Sequence, residues 1–236
     1  MSSTMISSNP AISRLVERQM RNWELARQQK LESDQPVKTR VEDFVCVSRQ
    51  IGTMGREVAR GLGEKLGWPV FDREILDAMA GDDIVRRQVY ESMDQRELTW
   101  WEETLRALMQ GEFVRNDYFK RLTETVLSLS CQGNCVFLGR GADLLLPNDL
   151  GFRLRLVAPR DQRVVRIAEI NDLTQSEAQQ RIDRLESERR RYFQRHFGIE
   201  IDDPVRFDLV LNLSRISAGA AVEMVYQAKS IHEHAP

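Results

Sequence analysis

Val45-Cys46-Val47-Ser48-Arg49-Gln50-Ile51-Gly52-Thr53-Met54-Gly55-Arg56-Glu57-Val58-Ala59 is the stretch that decides the fold. Phe44, Val45 and Val47 form an apolar run that reads as a short buried strand. A turn punctuated by Gly52 and Gly55 follows, and then Val58, Leu62, Lys65 and Leu66 fall at helical spacing, with Gly67 as the stop. Strand, glycine-rich turn and helix is the layout of a phosphate-binding loop. Glycines let the backbone fold round a phosphate, and the first N–H groups of the helix point at it. The pattern G-x-x-x-x-G-K-S/T is not met: no Lys-Ser or Lys-Thr pair is present, and Gly55-Arg56-Glu57 stands there instead. On pattern alone the stretch reads as a phosphate cradle or as an ordinary strand-to-helix turn.

Outward from that stretch, apolar runs alternate with helical periodicity. Strands are expected at 43–48, 69–71, 135–139, 152–157 and 208–212, separated by helices. That alternation implies βαβ units and an α/β fold with a five-stranded parallel sheet flanked by helices. Cys135-Val136-Phe137-Leu138 is continuously apolar and reads as a strand buried on both faces. It delivers Gly139-Arg140-Gly141 at its end. Phe152-Arg153-Leu154-Arg155-Leu156-Val157 alternates, with its arginines on the polar side. Asp161 is a candidate cap for a short helix, and Ser176-Glu177-Ala178-Gln179 fits a capping box for a long arginine-bearing helix closed by Gly198. Residues 83–131 read as helical, and residues 10–32 form an amphipathic helix ahead of the first strand. The chain therefore divides into a tail and helix over 1–40 and a main domain over 41–236.

With 236 residues there is ample chain for a core, and a net charge of -2 gives no reason to expect nucleic acid or an acidic membrane as partner. No apolar run reaches ~18 residues and the N-terminus has no apolar leader, so a soluble, cytoplasmic protein is expected. The three cysteines, Cys46, Cys131 and Cys135, lack metal-ligand spacing. The histidines do too, and no metal site is expected of the protein's own side chains.

Five segments, in order, resemble one family. Ser48-Arg49-Gln50-Ile51-Gly52-Thr53-Met54-Gly55-Arg56-Glu57-Val58 is similar to its I-S-R-x-x-G-S-G-G-R-E-I. Pro69-Val70-Phe71-Asp72-Arg73-Glu74 resembles its P-F/Y-Y-D-K/R-E, and Leu138-Gly139-Arg140-Gly141-Ala142-Asp143 its G-R-G-A-D/N. Glu188-Arg189-Arg190-Arg191-Tyr192-Phe193 resembles a lid segment E-R-x-R-Y-Y, and Asp203-Pro204 with Phe207-Asp208-Leu209-Val210-Leu211-Asn212 resembles D-P-x-x-Y-D-L-V-I/L-N. The family is the cytidylate kinase-like group of P-loop proteins, relatives of the nucleoside monophosphate kinases, and the match runs over about residues 43–228. It implies a P-loop kinase fold with a helical insert for the nucleoside monophosphate (about 73–131) and an arginine-bearing lid (about 160–200). Bona fide cytidylate kinases carry G-x-G-K-G-T in the loop. Here Gly55 stands where the lysine would be and Glu57 where the threonine would be, and Met54 replaces a glycine.

The resemblance implies ATP as donor, with Mg²⁺, and a nucleoside monophosphate such as CMP as acceptor. Gly52, Thr53, Met54, Gly55, Arg56 and Glu57 would cradle the donor phosphates. Arg56 could supply charge in place of the missing lysine, or be a solvated first-turn residue; Glu57 could hold Mg²⁺ or pair with Arg56. Arg49, Asp72 and Arg140 are the acceptor candidates, Arg49 weighed against an ion pair with an acid such as Asp72, and Asp72 against a helix cap. Arg189 and Arg191 would stabilise the transferring phosphoryl group. Arg181, Arg184, Arg190 and Arg195 read as a solvated face paired with Glu186 or Glu188. Trp100 and Trp101 read as core rather than a base-stacking platform. The leading expectation is an ATP-dependent phosphotransferase. Its rival is a degenerate kinase-fold module that binds or senses a nucleotide without turnover. A third reading gives the N-terminal helix a structural role, with a second copy of the chain as its partner.

Overall fold

The computed structural model describes residues 41, 43–81 and 117–232. The expected N-terminal helix, most of the helical stretch 83–131, Trp100, Trp101 and His234 lie outside the described residues. The elements run β1 (Phe44–Arg49), α1 (Gly55–Leu66), β2 (Val70–Asp72), α2 (Arg73–Gly81), α3 (Asp117–Gln132), β3 (Cys135–Leu138) and α4 (Ala142–Leu145). They continue with β4 (Phe152–Val157), α5 (Arg160–Asn171), α6 (Gln175–Phe197), a 3-10 turn (Pro204–Arg206), β5 (Leu209–Asn212) and α7 (Ala218–His232). The strands form a five-stranded parallel sheet in the order β2-β3-β1-β4-β5. All five expected strands are present, each displaced by no more than a residue or two at its ends.

The chain falls into two compact units. The first contains β2, α2, α3, β3 and α4. Its strands pair in register, Phe71 against Phe137, with the two rings 5.8 Å apart. β3 is buried along its whole length, as its apolar run predicts, because helices cover both faces of a parallel strand. Leu76 and Met79 of α2 and Leu122 and Val126 of α3 are wholly or almost wholly buried, and the two helices pack together. Cys131 and Cys135 are buried free thiols, like Cys46 in the other unit. Burial pushes the Cys135 thiol well up, and the neighbouring Asp43 carboxylate pushes it further.

The second unit contains β1 from Val45 on, α1, β4, α5, α6, β5 and α7. β4 lies between β1 and β5, with Ser48 opposite Arg155 and Leu156 opposite Leu211. The alternation in β4 puts Arg153 and Arg155 on one face of the strand. They are 6% and 4% exposed. A buried guanidinium survives only with partners, and Arg155 has Ser48 and Asp202. α1 and α7 pack together, closed at the surface by a Lys65–Glu223 ion pair of 2.7 Å.

Two capping expectations are corrected. Asp161 does not cap α5; Pro159 occupies that place, and Asp161 sits in the first turn. The box that opens α6 is Thr174 with Glu177, not the one at Ser176. Gly198, at φ 65°, closes α6 as expected. Among the described residues no helix is long and apolar enough to cross a membrane.

Candidate functional site

β1 runs into the loop through Gln50. Its N–H continues the ladder by donating to the Leu156 carbonyl at 3.0 Å, and its side-chain Oε1 accepts from the Ala158 N–H at 3.1 Å. The Thr53 hydroxyl donates back to the Gln50 carbonyl at 2.9 Å, closing the turn on itself. Val58 N–H donates to the Met54 carbonyl at 3.0 Å, so Met54 is the last residue before the helix and Gly55 the first within it. Two glycines make this path possible. Gly52 sits at φ +81°, and a Cβ there would lie 2.8 Å from the Arg163 carbonyl oxygen. At Gly55 a Cβ would lie 2.8 Å from Cγ of Arg49, whose side chain therefore lies against the first turn of α1. Arg56 and Glu57 are exposed in that first turn. There the positive end of the helix dipole favours an anion.

Arg163 holds the loop in place, and sequence reasoning passed over it. It is 5% exposed. Its Nε donates to the Ala158 carbonyl at 3.0 Å, and its Nη1 to the Ile51 carbonyl at 3.0 Å and to Glu186 Oε1 at 2.5 Å. One guanidinium thus ties β4's end, the loop and α6 together. Apolar contact backs it: Ile51, Val164, Ala168, Ala178 and Ile182 form one buried cluster from the loop, α5 and α6. A second tie is the bond from Arg189 Nη1 to the Arg49 carbonyl at 2.8 Å. The one available signal for Arg163 was its position beside Val164, on the face of α5 that the helical period turns inward.

A cavity of about 150 Å³ opens where these groups meet, lined by Arg49, Gln50, Arg155, Glu186, Arg189, Arg190, Ile201 and Asp202. Four arginines face two carboxylates across it. Glu186 is engaged by Arg163 and Asp202 by Arg155. Arg155 also donates from Nη1 to Ser48 Oγ at 2.7 Å. The arrangement suits an anion larger than a chloride and able to accept several hydrogen bonds, the character of a phosphoryl group.

Of the candidates, Arg49 and Arg189 come together here; Arg190, read as part of a solvated face, is exposed and also lines the cavity. Arg191 is exposed, bonds to Ser187 O of its own helix at 3.4 Å and does not line the cavity. Glu186, expected to pair with lid arginines at helical spacing, pairs with Arg163.

The remaining two candidates lie in the first unit. Asp72 ends β2, and its Oδ1 accepts from the N–H groups of Glu74 at 3.0 Å and Ile75 at 3.1 Å, the helix-cap role weighed above. Arg140 follows β3 at φ 61°, between Gly139 at 82° and Gly141 at 74°. Its Nη2 is ion-paired with Asp77 Oδ2, and its side chain is 15% exposed.

No group of three or more His, Cys, Asp or Glu side chains placed to hold a metal occurs among the described residues. Mg²⁺ does not need one, since it takes one or two carboxylates with substrate phosphates and water. Glu57, exposed at the loop's helix start, fits that requirement; the Thr53 hydroxyl donates its hydrogen to the Gln50 carbonyl and keeps its oxygen lone pairs. His196 is buried at the end of α6 against Tyr192, with ring centroids 4.7 Å apart. Burial, and then the charge of Arg195, pushes its pKa down.

A family model described as the cytidylate kinase-like family matches residues 44–215. A cytidylate kinase of Natronomonas pharaonis is 28% identical over 194 residues, which span 82% of this chain and 91% of that protein. A solved structure, an uncharacterized protein from Eubacterium ventriosum, is similar in fold with a TM-score of 0.64 at 17% identity, over 80% of this chain and 99% of that one.

Proposed function

This chain belongs to the cytidylate kinase-like family, and from that membership we propose that it transfers a phosphoryl group from ATP to a nucleoside monophosphate such as CMP. The observation that carries the proposal is the convergence of Arg49, Arg155, Arg189 and Arg190 on one cavity at the end of β1, where the loop begins. In phosphoryl transfer the protein's contribution is positioning and charge. The loop lacks the lysine that would supply charge from within, and arginines from β1, β4 and α6 supply it from the side. A guanidinium offers five N–H donors in a fixed fork, and the bond from Arg189 to the Arg49 carbonyl uses one of them while fixing the side chain. In this reading the loop at 52–57 takes the donor phosphates, Arg189 and Arg190 take the moving phosphoryl group, and Arg140 takes the acceptor's phosphate. Mg²⁺, when bound, would neutralise the donor phosphates, with Glu57 as its carboxylate from the chain.

The substitutions at Gly55 and Glu57 favour a second reading, a module that binds a nucleotide without turning it over. Thermal shift against ATP, ADP, GTP and each nucleoside monophosphate, with and without Mg²⁺, separates the two. A ligand at 100 times its Kd stabilises by about 2.7 kcal/mol, which for a chain of this size is a shift of about 5–11 °C. A shift with ATP and Mg²⁺ that grows with one monophosphate supports the kinase. A shift with ATP that no monophosphate changes supports the module. No shift with any nucleotide would sink both.

A further inference from the structure

We propose that Asp77 and Tyr118 are positioning residues that fix the guanidinium of Arg140 for the phosphate of the acceptor. The inference rests on the reading of Arg140 as the acceptor's phosphate ligand. It adds two residues that no sequence motif singles out.

The backbone comes first. Arg140 is one of two described non-glycine residues at positive φ, the other being Asp172 at the end of α5. Flanked by two glycines also at positive φ, it forms a three-residue left-handed turn directly after the buried strand β3. A non-glycine residue in that region costs of order 1 kcal/mol or more, and the turn sets the direction in which its side chain leaves the sheet. An arginine side chain still has four torsions beyond that point. Two elements of the same unit restrict them. Asp77, on α2, accepts from Arg140 Nη2 with Oδ2 and from the Tyr118 hydroxyl with Oδ1, the latter at 2.5 Å. Tyr118, in the first turn of α3, also places its ring 5.9 Å below the Arg140 guanidinium carbon. The tyrosine therefore touches both partners of the ion pair, the carboxylate with its hydroxyl and the guanidinium with its face.

Stability alone is a weak reason for such a construction. A desolvated ion pair often contributes little over an apolar substitute of the same size, and here it is combined with a strained backbone. The charges at the site suit a ligand. Arg73 Nε lies 3.6 Å from Asp77 Oδ2, so this carboxylate meets two guanidiniums. The carboxylate engages Arg140 through Nη2, and a guanidinium whose plane is fixed meets a phosphate in a fixed direction. Asp77 thus stands to Arg140 as an outer carboxylate stands to a ligating histidine, where its loss typically lowers affinity by about 10–100-fold.

The test is calorimetric titration of the four nucleoside monophosphates, and separately ATP, into the full chain and its Arg140→Ala, Asp77→Asn, Asp77→Glu and Tyr118→Phe variants. The monophosphate that binds wild type most tightly is the probe. Expected are losses of at least about tenfold for Arg140→Ala, about tenfold for Asp77→Asn and about threefold for Tyr118→Phe, with ATP affinity unchanged in all. Asp77→Glu should recover part of the Asp77→Asn loss. A merely structural pair would weaken ATP and monophosphate together. If Arg140→Ala loses the monophosphate while Asp77→Asn and Tyr118→Phe bind like wild type, the positioning role is overturned and the reading of Arg140 stands. Tighter binding by Asp77→Asn also overturns it, by showing that the carboxylate competes with the phosphate. If wild type binds no monophosphate, or Arg140→Ala binds like wild type, the reading of Arg140 falls and takes the proposal with it. Should Asp77→Asn fail to fold, Tyr118→Phe removes a single oxygen and decides by the same criteria.

Discussion

Arg163 makes three hydrogen bonds from one buried guanidinium, to two main-chain carbonyls and one carboxylate. Replacing it with methionine keeps much of the packing volume but leaves Ile51 O, Ala158 O and Glu186 short of a donor. Breaking one side of a buried ion pair costs about 3–5 kcal/mol, so Arg163→Met should lower the unfolding free energy by an amount in that range, read as a lower urea midpoint. Glu186→Gln, which retains an acceptor, should cost clearly less. Gly52→Ala tests the same contact from the loop side. Its Cβ would meet the Arg163 carbonyl at 2.8 Å in a left-handed conformation, and a cost of roughly 1–3 kcal/mol is expected, read from the same unfolding curves. A wild-type midpoint in Gly52→Ala would mean that the loop does not hold this path. Arg155 and Arg163 were not legible in the sequence, and the reason is their partners. Ser48 and Asp202 lie 107 and 47 positions from Arg155, and Ile51 lies 112 positions from Arg163. Local pattern places an arginine on a face but cannot say that the face is covered and the charge matched. Arg49 and Arg140 stand out in the sequence because each comes at the end of an apolar run, Arg140 between two glycines.

Among the elements, α6 carries the arginines that the family resemblance assigns to a lid, and its two ends make separate predictions. Two windows fit the capping-box pattern, Thr174 with Glu177 and Ser176 with Gln179. The first forms, with the Thr174 hydroxyl oxygen accepting from Glu177 N–H and the Glu177 carboxylate accepting from Thr174 N–H at 2.8 Å. The hydroxyl and N–H of Thr174 hold the Glu177 carboxyl below its ordinary range. Its share of stability is present above that range and is lost as the pH falls through it. Thr174→Ala should cost about 1 kcal/mol at neutral pH and should reduce this acid sensitivity. At the other end His196 is buried and its pKa is depressed. The unfolded chain takes up a proton near pH 6.5 that the folded chain refuses until lower pH. The contribution is therefore full above pH 6.5 and is lost as the pH drops below it. Unfolding curves between pH 7.5 and 5 should show this loss, and His196→Gln should flatten it; parallel curves for the two proteins would contradict the assignment. The short helix Ala142–Leu145 was not legible, because one turn is too short to show a period.

For the molecule as a whole, the strands were the readable part. Parallel strands covered by helices are continuously apolar, and the runs at 44–47 and 135–138 announce themselves. The five-stranded sheet and the family follow from them and from the glycine and arginine segments that come after. The chemistry was less readable, since the loop lacks the lysine and the arginines that line the cavity come from elements far apart in sequence. That replacement is the central claim: arginines beside the loop do the work of a lysine within it. The most direct test is phosphorus NMR of ATP, Mg²⁺ and each nucleoside monophosphate in turn with wild type and Arg189→Ala. The account predicts that one monophosphate yields ADP and the nucleoside diphosphate in equal amounts, and that Arg189→Ala slows this by at least about a hundredfold. ATP left intact with every monophosphate, or consumed to ADP and free phosphate without any diphosphate product from the acceptor, would contradict it.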